Sequence, residues 1–141
     1  MSRNRRKSMD ANVTADAVAA GREHFMETLG NVPEPIRAMM EYLPEHFAGY
    51  LQFREAIYSK PSESGHLDLK TKELIYTLLD ILTHNLDGAK NHGRAAFEAG
   101  MTSTELAEGC MQVMHVCGVT TWGKTGYKVV DFITELERGR G

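Results

Sequence analysis

Residues 67–84 read LDLKTKELIYTLLDILTH, and this stretch decides the fold class. At 100° per residue, Leu74, Ile75, Leu78, Leu79, Ile81 and Leu82 fall within an arc of about 160°, the signature of an amphipathic helix with its apolar side in a core. Asp68 stands where an N-cap belongs, and the pattern carries the helix to about His84. Away from the apolar arc, Glu73, Thr77, Asp80 and His84 recur at i, i+4, i+7 and i+11 and form one continuous polar line. Two readings fit that line: a solvated face, or titratable groups looking into a cleft. Asp80 and His84, four residues apart, could pair, which would favour the imidazolium.

The same period recurs outward from this helix. Val18, Ala19, Phe25, Met26 and Leu29 predict a helix from about Asp16, closed by Gly30. Pro33 and Pro35 make residues 31–35 a connector. Ile36, Met39, Met40 and Leu43 form the next apolar stripe, which Pro44 interrupts. Phe47, Tyr50, Leu51, Phe53 and Ile57 carry a third helix to about Tyr58, and KPSESG (60–65) is a polar loop. Asn85, Asp87 and Gly88 mark a break, followed by a short helix to Ala99 that Gly100 closes. Thr102 and Glu105 have capping-box spacing and open a helix to about Cys117, which Gly118 stops. The last helix spans Trp122 to Leu136, with residues 138–141 fraying. No segment alternates with period two. The expectation is an all-α, single-domain bundle of six to seven helices over residues 15–138, behind a disordered basic tail at 1–14.

Composition agrees with a globular chain: 141 residues, 42% hydrophobic and 25% charged, enough for one domain. No apolar run approaches the roughly 18 residues that span a bilayer, and no apolar segment follows the basic N-terminus as a secretory signal requires. The net charge of −3 hides an asymmetry. Arg3, Arg5, Arg6 and Lys7 lie in the tail, leaving 12 basic against 19 acidic side chains elsewhere. An acidic body argues against a nucleic-acid surface. Two cysteines are too few for a disulfide scaffold, and no paired Cys/His spacing suggests structural zinc. A reducing cytoplasm is the simplest location.

Cys110 and Cys117 lie seven residues apart on one predicted helix, about 10.5 Å along its axis, too far to bridge within it. Both fall on its apolar side with Ala107, Met111 and Met114, as small buried hydrophobes. His92 sits among Gly88, Ala89, Ala95, Ala96 and Ala99, a face that lets another backbone come close, so its imidazole needs a partner. It is either a satisfied core histidine or a working one. His115 lies at the edge of an apolar face and reads as packing. His24, His46 and His66 have no supporting constellation and read as surface. His84, His92 and His115 could share a metal, but no ligand motif joins them, so no metal site is assigned.

The run Leu67-Asp68-Leu69-Lys70-Thr71-Lys72-Glu73-Leu74 resembles the "L-[S/D]-x-[K/R]-x-[K/R]-E-L" opening of the carboxymuconolactone decarboxylase family, whose superfamily includes the alkylhydroperoxidase D-like proteins. Residues 92–102, HGRAAFEAGMT, resemble its "H-x-x-x-A-x-x-x-G-[L/V/M]-T" segment, and Glu105-Leu106 continues the match. Cys117-Gly118-Val119 resembles its "A-G-V-P" turn, with Thr120 in place of Pro. The resemblance covers roughly residues 25–137. Glu73 and His92 stand 19 residues apart, the spacing of the Glu and His of the superfamily's peroxidase relay. The redox branch also carries Cys-x-x-Cys-x-x-x-His, and those cysteine positions are Asn85 and Gly88 here. Neither forms a thiolate, so thiol peroxidase chemistry through that motif is disfavoured.

What remains resembles the decarboxylase-like branch. The resemblance implies an alkylhydroperoxidase D-like fold, a homo-oligomer (trimer or hexamer), and acid–base chemistry without a cofactor on a small carboxylated substrate of aromatic degradation. It implies His92 as proton donor or base and Glu73 as the group that orients it. His84, Asp80 and Trp122 are the candidate substrate contacts. The branch often has Glu four residues before the His, where this chain has Gly88, which leaves the lactone itself open. The alternative is a non-catalytic small-molecule-binding or accessory protein of the same fold.

Overall fold

In a computed structural model the described residues are 2–61, 63 and 65–141, with side chains from Ala11 onward. They form seven α-helices and one π-helical turn, with no strand among them. The all-α expectation holds. The chain divides into two compact units, residues 1–59 and 60–141. The divide falls at the polar KPSESG loop.

The first unit holds α1 (Ser2–Leu29), α2 (Glu34–Tyr42) and α3 (Pro44–Ile57). α1 begins well before Asp16, so its backbone takes in the stretch read as tail. Neither Pro nor Gly occurs before Gly21, and Arg, Lys, Met and Ala are good helix formers. Periodicity missed this part because it has no apolar stripe. The side chains of Arg3, Arg5, Arg6 and Lys7 lie outside the described residues. Gly30, at φ +75, ends α1 as expected. Phe25, Leu29, Ile36, Met40, Phe47 and Leu51 form this unit's core. Gly21 is there for space, since a Cβ would overlap the Phe47 ring of α3. His24 is not a surface residue. Its Nε2 accepts from Arg54 Nη1 at 2.7 Å, and Arg54 is only 4% exposed. Arg54 also donates to Thr28 Oγ1 and the Tyr58 hydroxyl and lies against the Phe25 and Tyr58 rings. Burial and then the Arg54 charge hold the His24 pKa down.

The second unit holds α4 (Leu69–Leu82), α5 (Leu86–Glu98), α6 (Ser103–Cys117), the π turn Trp122–Gly126 and α7 (Tyr127–Arg140). Asp68 caps α4 by accepting from the Thr71 amide, and Thr102 with Glu105 forms the expected capping box on α6. α7 continues past Leu136 to Arg140. Its last turn is tied down: Glu137 accepts from the Ser103 amide and hydroxyl, and Arg140 pairs with Glu98. Ile81, Ala89, Ala96, Phe97, Met101, Leu106, Cys110, Val129 and Ile133 make the core.

The orientation of α4 departs from its periodicity. Lys72, Glu73, Thr77 and Ile81 are its buried residues, while Ile75 and Leu79 are 42% and 51% exposed. The cause lies on α5, where Ala89, Gly93 and Ala96 are buried. A Cβ on Gly93 would lie 3.7 Å from Thr77 Cγ2 and 3.4 Å from Val129 and Ile133 of α7. The small-residue face thus lets α5 dock on the polar line of α4 and turns part of the apolar arc outward. Periodicity reports which side of a helix is apolar, not which side meets a neighbour.

Candidate active site

α4 does not reach His84 as a helix. His84 takes the left-handed conformation at φ +58, its amide bonds to the Ile81 carbonyl, and the Asn85 amide reaches back to the Asp80 carbonyl. This is a Schellman closure with His in the place usually taken by Gly. Asn85 then caps α5 by accepting from the Gly88 amide. One residue therefore ends α4 and starts α5, and the tight turn lays the two helices side by side. That turn converts 19 residues of sequence into one contact.

The contact is between Glu73 and His92. His92 Nδ1 lies 2.7 Å from Glu73 Oε2, with Glu73 fully buried and the His92 side chain 14% exposed. A carboxylate at this distance accepts a hydrogen bond from Nδ1–H, which fixes the orientation of the ring and leaves Nε2 as the nitrogen free of Glu73. Tyr76 stacks on the imidazole, ring centres 4.5 Å apart and planes 24° from parallel, so the ring is held on a second side. Thr77 Oγ1 donates to the Glu73 carbonyl oxygen at 2.7 Å, which satisfies the buried hydroxyl. The sequence pairing of Glu73 with His92 is thus met in space. Tyr76 was missed, although its place three residues after Glu73 on the same helix was a usable signal.

The remaining candidates take different places. Asp80 accepts from Asn85 Nδ2 at 3.3 Å. Burial pushes its pKa up, opposed by the charge of His92 and by the Asn85 hydrogen bond. His84, taken off the helix line by the Schellman turn, has its Nδ1 3.4 Å from the hydroxyl of buried Thr125. Trp122 packs against the core around Cys110, its ring 6.5 Å from that of Tyr127. His115 is exposed instead of packed. Among the described residues no three His, Cys, Asp or Glu side chains stand close enough to share a metal ion.

The thiols divide. Cys110 is buried, as expected, and burial pushes its pKa up to about 11. Cys117 is exposed at the end of α6, which corrects its reading as a buried hydrophobe, because the helix runs past its neighbours before Gly118 stops it. With an aromatic disulfide reagent at pH 8, the native protein is expected to show one fast thiol, Cys117, and a second only after unfolding. Two fast thiols in the native state would contradict this burial.

The sequence profile of the carboxymuconolactone decarboxylase family matches residues 44–125. The chain belongs to the carboxymuconolactone decarboxylase family. The crystal structure of a candidate carboxymuconolactone decarboxylase from Burkholderia xenovorans LB400 superposes with a TM-score of 0.84 at 35% identity, covering 89% of this chain and 95% of that one. A search of curated proteins finds no significant match. The family match spans Glu73, the Asn85 turn and His92, and it carries the alkylhydroperoxidase D-like fold with it. The two positions that hold thiols in the redox branch of the superfamily are here a helix cap, Asn85, and the glycine whose amide it accepts.

Proposed function

We propose that this chain is a lyase that decarboxylates or otherwise processes a small carboxylated lactone by acid–base chemistry, without a cofactor. The supporting observation is the 2.7 Å contact between His92 Nδ1 and a carboxylate with no solvent exposure. Loss of CO2 leaves an electron pair that the conjugated lactone carries as an enolate, which must be stabilised and then protonated. His92, oriented by Glu73 and flattened against Tyr76, offers Nε2 to that oxygen and exchanges a proton with it. Among the expected substrate contacts, Asp80 feels the charge of His92. The test is incubation with a carboxymuconolactone, following CO2 release and the product by NMR. The expected result is turnover with no added metal, cofactor or thiol. Binding without conversion above the buffer rate would overturn the reading and mark a non-catalytic binder.

The protein is further proposed to act as a homo-oligomer. Ile75 and Leu79 of α4 face outward, and Met111 and Val116 of α6 are 63% and 80% exposed. Leu78 of α4 packs at the position of Gly109 on α6, so these two helices adjoin. Exposed apolar side chains on adjoining helices suit an interface between copies. Sedimentation equilibrium is expected to give a multiple of 15.7 kDa, the trimer or hexamer of the family resemblance. A concentration-independent monomer would contradict it.

A further inference from the structure

We propose that Asp80 is the second proton-carrying group of this site, working together with His92. The mechanistic half of this inference rests on the lactone reading above; the pairing of the two groups does not. Asp80 lies on the same line of α4 as Glu73 and Thr77, the line that the structure turns inward. Its carboxylate makes no ion pair with Lys or Arg among the described residues, and its one side-chain hydrogen bond comes from a neutral amide, Asn85 Nδ2. Gly88 makes the room for it. A Cβ there would overlap the Asn85 amide nitrogen and lie 2.7 Å from Asp80 Oδ2. The first turn of α5 therefore leaves bare the place where the Asp80 carboxyl and the Asn85 amide stand.

The titratable groups around Asp80 are few. His92 stands one turn after Gly88 on α5, the glycine that lies against the Asp80 carboxyl, with Glu73 behind the imidazole. His84 follows one turn later on its own chain and is bound towards Thr125 of the π turn. Burial favours the protonated acid at Asp80, opposed by the His92 charge and the Asn85 hydrogen bond. In the reaction, the bond between ring carbon and carboxylate breaks, CO2 leaves, and the electron pair enters the lactone as an enolate. His92 lends a proton to the enolate oxygen. The Asp80 proton then forms the new C–H bond as the oxygen's proton returns to His92. Asp80 is left ionised and recovers its proton from water, so the net proton comes from solvent.

The experiment has two arms on the full chain. The first is a carbon-13 NMR titration of the Asp80 carboxyl in wild type and His92→Gln. The expected result is titration above the ordinary aspartate range, and higher again in His92→Gln, where the opposing charge is gone. A carboxyl that titrates in the ordinary range, or ignores His92→Gln, overturns the proposal. The second arm is turnover of carboxymuconolactone. Asp80→Asn is expected to lower kcat about 10²–10⁴-fold and to remove the fall in activity at high pH, where Asp80 loses its proton. Asp80→Glu is expected to restore part of the rate with that high-pH fall. Gly88→Ala, which must displace the carboxyl, is expected to lower kcat as well. An active wild type whose Asp80→Asn variant keeps its rate and pH profile overturns the catalytic role. If wild type leaves the lactone unchanged while the carboxyl titrates with His92, the lactone reading falls and the proton pair stands.

Discussion

Replacing His92 with alanine is expected to lower kcat/KM on the lactone by about 10²–10⁴-fold, the usual contribution of a positioned acid–base group. It is also expected to destabilise the second unit. Glu73 is fully buried, and taking a hydrogen-bond partner away from a buried polar group costs about 1–3 kcal/mol, more for a charged one. Tyr76 loses its stacking partner in the same step. Both effects are read on one preparation, by steady-state kinetics and by thermal unfolding followed by circular dichroism. A variant that melts with wild type and keeps its activity would show that the imidazole is neither the reacting group nor a structural partner.

Replacing Glu73 with glutamine separates those two roles. The amide keeps the shape, and its carbonyl oxygen still accepts from Nδ1, so the melting temperature is expected to fall less than in His92→Ala. The negative charge behind the imidazole is lost. Loss of a carboxylate that supports a working histidine costs about 10²-fold or more in other systems. The fall is expected in kcat with KM nearly unchanged, since the buried carboxylate touches the ring and not the ligand. An unchanged kcat, or an effect confined to KM, would contradict the assigned role.

The helices were legible because they rest on local rules, and the Glu73–His92 pairing because its spacing resembles that of the family. Asp68, Thr102 and Glu105 are side-chain caps, and Gly30, Gly100 and Gly118 adopt the positive φ that ends helices. The inward face of α4 was not legible from α4 alone. It depends on Ala89, Gly93 and Ala96 of α5, which admit a close approach to Thr77. The fate of His84 depends on a Schellman turn that needs no glycine, so no residue type announced it. Cys117 is misread for a related reason: a helix face that is apolar throughout need not be covered throughout. The early start of α1 escaped because a helix without an apolar stripe leaves no period to find.

The central claim is that His92, held by Glu73 through Nδ1, presents Nε2 to the reacting ligand. Nitrogen-15 NMR of histidine-labelled protein tests it directly, with a saturated, non-reacting carboxylated lactone as the probe. The account predicts a proton fixed on Nδ1 with and without the probe, and an Nε2 resonance that moves as the probe binds. An Nδ1 without its proton in the free protein, or an Nε2 resonance that stays in place at saturating probe, would contradict it.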